Sequence, residues 1–124
     1  MSRKLRVAIN GFGRIGKNAL RATMVYQPLR AYAPGEIDVV AINELGSIAE
    51  SVHLFLHDTT FGPFDGHVSV VDNSISILLA RDLSTDRPAR WIRYLSEPDP
   101  AKLPWRELGV DVVLECTGKF TSRA

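Results

Sequence analysis

Leu5-Arg6-Val7-Ala8-Ile9-Asn10-Gly11-Phe12-Gly13-Arg14-Ile15-Gly16 is the stretch whose reading decides the fold. Residues 5–9 form a short run rich in branched apolar side chains, closed by Asn10-Gly11, which predicts a buried strand. Over residues 14–25, Ile15, Ala19, Leu20, Ala22 and Val25 recur at helical spacing, and Pro28 requires the helix to stop before it. Between strand and helix lies a G-x-G-x-x-G. Three glycines by themselves can mark a tight turn that holds nothing. Here a strand runs straight into them and a helix starts inside them, the context in which they seat a dinucleotide. Gly11 permits the sharp turn, Gly13 leaves no side chain between backbone and pyrophosphate, and Gly16 lets helix and strand approach. The N–H groups at the helix start and the helix dipole favour phosphate. Apart from its backbone N–H, Arg14 reads equally as a phosphate ligand or a solvated first-turn residue.

Working outward, residues 37–42 are nearly continuous apolar, as in a parallel strand covered on both faces. Asn43 and Glu44 follow. A carboxylate at the end of the second strand can accept both hydroxyls of an adenosine ribose. Glu44 stands 28 positions after Gly16, against a usual interval of about 20; the proline- and glycine-bearing loop at 27–35 takes up the excess. The alternative is an ordinary surface glutamate. As a ribose ligand, Glu44 argues for NAD over NADP, because a 2′-phosphate would meet a like charge. Ser47, with Glu50 three residues on, caps a second helix running to Leu56. Phe61-Gly62-Pro63 and Asp65-Gly66 read as turns, and 67–71 with 74–79 as a hairpin turning at Asp72-Asn73. Residues 82–90 read as polar loop, 91–95 as a strand, 105–108 as one helical turn, and 110–114 as the last strand, ended by Thr117-Gly118. The expected architecture is α/β: a Rossmann-type parallel sheet with an inserted β-hairpin region, incomplete at its C-terminus, residues 1–124 being the N-terminal portion of one dinucleotide-binding domain.

Composition limits the function classes. A formal net charge of +1 on 124 residues gives no electrostatic case for nucleic acid or a membrane surface. No apolar run approaches the roughly 18 residues that span a bilayer. The basic start is followed only by Val7-Ala8-Ile9, too short for a signal peptide, so the cytoplasm is the default expectation. The one cysteine, Cys116, excludes an internal disulfide. Beside Glu115 nothing lowers its thiol pKa, and a small buried hydrophobe is the better reading. His53, His57 and His67 have no metal-ligand spacing with cysteine or acid partners, so no metal is expected.

At this point the residues match a known family. Residues 8–16 (AINGFGRIG) resemble the N-terminal signature of glyceraldehyde-3-phosphate dehydrogenases. Residues 40–45 (VAINEL) resemble their second strand and its ribose-binding end, and 57–62 (HDTTFG) a Tyr-Asp-Ser-Thr-His-Gly loop. Leu103-Pro104-Trp105 and residues 112–121 (VVLECTGKFT) complete a resemblance that covers nearly the whole chain in order. It implies NAD as cofactor. Asn10, Gly11, Phe12, Gly13, Arg14, Ile15 and Gly16 would lie at the pyrophosphate, Asn43 and Glu44 at the adenosine ribose, and Thr117, Gly118 and Phe120 along the nicotinamide half. Without the family, the last group reads as a plain strand-to-loop transition. The implied parent is a homotetrameric oxidoreductase in which a cysteine thiolate attacks a sugar-phosphate aldehyde and hydride passes to NAD. The family's Ser-Cys-Thr-Thr-Asn-Cys stretch does not occur here, so the catalytic domain is expected to be absent, and no catalytic residue is assigned to this chain. Erythrose-4-phosphate dehydrogenases share Glu44 and the 103–118 pattern. A non-catalytic nucleotide-binding fragment is the alternative of another class. Departures are Pro98 where the family has an arginine near the adenine, Phe61 for histidine, His57 for tyrosine, and a long 80–90 segment.

Overall fold

The computed structural model describes residues 5–25, 37–58, 62–80 and 89–118. β1 (Leu5–Asn10) leads through the glycine turn into α1 (Arg14–Val25), and β2 (Ile37–Asn43) leads into α2 (Ile48–Leu56). β3 (His57–Asp58) pairs antiparallel with β4 (Gly62–Pro63). Then come the hairpin β5 (Gly66–Val71) and β6 (Ser74–Leu79), β7 (Arg90–Leu95), a 3-10 turn at Pro100–Lys102, and β8 (Val112–Glu115). The six-stranded sheet has the order β5-β6-β7-β2-β1-β8. β1 is parallel to β2 and to β8, and β2 is parallel to β7. The hairpin joins the edge of this parallel core through antiparallel β6–β7 pairing. This is a Rossmann-type arrangement, with β1 between the two strands reached by crossovers.

Val7 to Asn10 are buried without a break, so β1 is covered on both faces. One face carries the main core, where Val7, Ile9, Val39, Ile42, Ile75, Ile77 and Ile92 meet α1 and α2. Phe55 of α2 joins Phe12 (ring centroids 6.0 Å) to Phe64 (4.7 Å) in an aromatic row under the glycine turn. Among the described residues no helix is long and apolar enough to cross a membrane.

Three local readings need correction. The buried stripe of α1 is Gly16, Leu20 and Met24, with Ala19 partly buried, whereas Ile15 is 71% exposed and Ala22 is exposed. Gly16 sets that phase. A Cβ on it would run into the Gly11 carbonyl oxygen and come within 3.1 Å of Ile9 Cγ2, so this position must face β1, and Ile15, 100° away, turns outward. Gly62–Pro63 is a strand rather than a turn; Phe61 lies outside the described residues. β8 starts two residues later than the apolar run, because the Val110 N–H donates to Trp105 O (2.9 Å) and the Asp111 N–H to Arg6 O (2.7 Å). Within β1–β2 the register shifts after Val7↔Val39, so that Ala8 faces Ala41 and Asn10 faces Asn43. The long 80–90 segment lies mostly outside the described residues.

Candidate dinucleotide site

The ends of β1, β2, β7 and β8 lie at one edge of the sheet, and a cleft of about 250 Å³ opens there. Its middle is the glycine turn. Gly11 has φ +97, and a Cβ on it would stand 2.6 Å from the Thr117 backbone nitrogen, so this glycine brings the first turn against the end of β8. Gly13 is different: an added Cβ would have nothing within 4 Å, and it would project into open space at the mouth of α1. The first-turn N–H groups of α1 have no carbonyl four residues back to bond, so they and the helix dipole are available to an anion.

Below the cleft the strand ends are tied by side chains. Asn10, buried, donates from Nδ2 to Glu115 Oε2 (2.8 Å) and accepts at Oδ1 from Asn43 Nδ2 (2.8 Å). Asn43, also buried, clamps the backbone of Glu97, donating to its carbonyl (3.0 Å) and accepting its N–H (2.8 Å). Glu115 Oε1 receives the Thr117 N–H (3.1 Å) and hydroxyl (2.6 Å). Burial pushes the Glu115 carboxyl up, but these Thr117 bonds and that from Asn10 outweigh it and hold the group below the ordinary glutamate value. The register shift in β1–β2 is what sets the two asparagines side by side.

Glu44 stands at the β2 rim of the cleft. Its Oε1 accepts the Phe12 N–H (2.8 Å) and its Oε2 the Gly46 N–H (2.9 Å). Burial raises its pKa, but the backbone donors Gly46, Phe12 and Leu45, with the Lys17 charge, bring it below 4.5. The carboxylate therefore stays ionised, and its remaining lone pairs can accept hydroxyls. Lys17, one turn into α1, leans back over the turn, its Nζ donating to the Phe12 carbonyl and lying 4.8 Å from the Phe12 ring centroid. Burial lowers its pKa, while Glu44 and Glu50 oppose that shift.

Of the residues singled out in the sequence, Asn10, Gly11, Gly13, Asn43, Glu44 and Thr117 line the cleft together. Phe12 sends its ring into the core and only its N–H toward Glu44. Gly16 is buried behind the turn, and Arg14 and Ile15 are exposed at the helix start. Gly118 is exposed with φ +74, just past Thr117. Phe120 lies outside the described residues. Sequence reasoning missed Lys17, Leu45 and Glu115, and it noted the 96–100 stretch only as a departure from the family pattern. Lys17 was within reach, because a residue four places after Gly13 on a helix sits over the same turn. Cys116 is half-buried, packs against the core, and also borders the cleft; burial, then the Glu115 charge, raises its thiol pKa.

This geometry fits a dinucleotide: a side-chain-free cradle at a helix start, an ionised acid at the second strand, and an open cleft where the strands on either side of β1 diverge. Comparison with known proteins agrees. The family model "Glyceraldehyde 3-phosphate dehydrogenase, NAD binding domain" matches residues 5–123. The chain is 47% identical over 119 residues to the chromosomal glyceraldehyde-3-phosphate dehydrogenase of Cupriavidus necator, covering 96% of this chain and 31% of that protein. It is 44% identical over 119 residues to the Pseudomonas aeruginosa glyceraldehyde-3-phosphate dehydrogenase, with the same coverage. It is also 42% identical over 121 residues to the chloroplastic glyceraldehyde-3-phosphate dehydrogenase A of Zea mays, covering 97% of this chain and 26% of that one. The chain thus spans about a third or less of the length of these relatives.

Proposed function

The chain belongs to the glyceraldehyde-3-phosphate dehydrogenase family, as its NAD-binding domain, and from that premise we propose that the cleft seats NAD with its adenosine toward β2 and its nicotinamide toward β8. Glu44 holds the adenosine ribose, and Gly13 with the N–H groups of Arg14 and Ile15 holds the pyrophosphate. Thr117 and Gly118 lie along the nicotinamide half, the part to which the family resemblance also assigns Phe120. Asn10 and Asn43 act beneath the cofactor, since their amides are already engaged with Glu115, Glu97 and each other. Bound NAD supplies a hydride acceptor; the chain's own residues bind and orient it.

For the whole protein we propose NAD-dependent oxidation of a sugar-phosphate aldehyde by a cytoplasmic homotetramer. Residues 1–124 supply the cofactor domain, and the nucleophile lies outside them. Cys116 is a poor candidate for that role, because its environment favours the thiol over the thiolate. The relatives' names favour glyceraldehyde 3-phosphate over erythrose 4-phosphate as substrate.

The observation that carries the cofactor reading is the open space at Gly13, at the mouth of α1 and across the turn from Glu44. Calorimetric titration with NAD tests it on the wild type and on Gly13→Val. A Cβ at this position meets nothing in the unbound fold, while the valine methyls would occupy the cradle, so NAD affinity is expected to fall by about tenfold or more, one decade being roughly 1.4 kcal/mol. Unchanged affinity would contradict the placement.

A further inference from the structure

His57 stands where the family pattern has a tyrosine, and it meets His53, four residues back on α2. The two rings lie 4.7 Å apart, centroid to centroid, with their planes at 47°. Both residues are exposed, and neither borders the dinucleotide cleft. Sequence spacing set these histidines aside for want of a cysteine or acid partner; the fold partners two of them with each other. The backbone holds both in place. The His57 N–H donates to the His53 carbonyl as the C-cap of α2, and His57 then pairs with Pro63 in the β3–β4 ladder. α2 itself is anchored by buried Phe55 and by buried Ser51, whose hydroxyl meets the Tyr94 hydroxyl at 2.9 Å. Two imidazoles are thus presented from a fixed base at a helix C-terminus, whose dipole favours a cation.

The geometry points to a binding site for one divalent transition-metal ion of the nickel, copper and zinc class, with His53 and His57 as its two protein ligands. Residues four apart on a helix carry their side chains on one face, so both rings can reach one ion. Such an ion bonds an imidazole nitrogen at about 2.0–2.1 Å, with the ring centroid about 1.1 Å further out. Two rings at a ligand angle of roughly 90–109° then stand about 4.5–5.2 Å apart, a range that includes the 4.7 Å of this pair. Imidazole selects this class of ion over magnesium and calcium, which take oxygen ligands. Among the described residues no group of three or more histidines, cysteines or acids is placed to hold an ion, so water completes the coordination. A bound ion staples the last turn of α2 to the start of β3.

The test is calorimetric titration of untagged protein with Ni²⁺ alone, on the wild type and on His53→Gln, His57→Tyr and His67→Gln. The wild type is expected to bind one equivalent with a dissociation constant of about 1–100 μM. His53→Gln and His57→Tyr are each expected to weaken binding by about tenfold or more. His67→Gln, on β5, is expected to leave it unchanged. All three histidines are exposed, so the variants are expected to melt close to the wild type without metal. Added Ni²⁺ is expected to raise the melting temperature of the wild type and not that of His57→Tyr. Absence of saturable Ni²⁺ binding below about 1 mM would reduce the pair to a plain ring contact and overturn the inference. Binding that survives either His53→Gln or His57→Tyr, or that is lost in His67→Gln, would place the ion elsewhere and overturn it as well.

Discussion

The three glycines of the turn make unequal demands, and substitution separates them. Gly16 faces the Gly11 carbonyl and Ile9 with no room for a Cβ, whereas Gly13 faces open space. Gly16→Ala is expected to lower stability by about 1–3 kcal/mol through overpacking. Gly13→Ala is expected to leave the melting temperature nearly unchanged, and thermal unfolding of the two variants compares them directly. Glu44 carries a pH signature. Its folded pKa lies below 4.5, so the carboxylate favours the folded state at pH values above that figure. The contribution is lost as the pH falls through the lower folded value. Denaturant unfolding of wild type and Glu44→Gln between about pH 7 and pH 3 is therefore expected to show a wild-type advantage at pH 7 that shrinks below pH 4.5. A constant difference across that range would show that the carboxylate charge is not what holds Phe12 and Gly46. At this scale the sequence was informative wherever chemistry is local: a glycine before a helix, an acid after a strand. It could not reveal that Asn10 and Asn43 hold each other, because their pairing depends on a register shift hidden inside a continuous apolar run.

Elements were legible where their signals are short-range. Ser47 caps α2 as its spacing with Glu50 suggests, accepting the Glu50 N–H at Oγ (3.1 Å) from an extended backbone at φ −68, ψ 148. Ser47→Ala is expected to cost about 1 kcal/mol, read as a lowered melting temperature that Ser47→Asp largely restores. The β5–β6 hairpin turns where the sequence placed it, at Asp72, whose φ of 53 is a conformation aspartate tolerates. The phase of α1 was misjudged because periodicity weighs Ile15 as apolar, while the helix orientation is decided by the one residue without a side chain. The ladder of β3 with β4 escaped because strands of two residues carry no period at all.

At the scale of the whole molecule, the parallel order β7-β2-β1-β8 brings four strand ends to one edge, and the cleft belongs to that convergence rather than to any single segment. The glycine turn and Glu44 could be found from sequence because each sits beside its own strand. The wall at 97–101 came into view only through the family resemblance, since it is β7's place next to β2 that brings it across from Leu45. The fold itself was legible because the parallel strands are apolar runs separated by crossovers, a pattern that few topologies satisfy. A ligand seated across four strand ends stabilises them jointly: NAD at about a hundred times its dissociation constant should add roughly 2.7 kcal/mol. The central claim, that this edge is an NAD site read at the ribose by an ionised Glu44, is tested most directly by calorimetric titration of the protein with NAD and NADP at neutral pH. Saturable binding of NAD, with NADP weaker by about tenfold or more, is the result expected; NADP binding as tightly as NAD, or no binding of NAD at all, would contradict it.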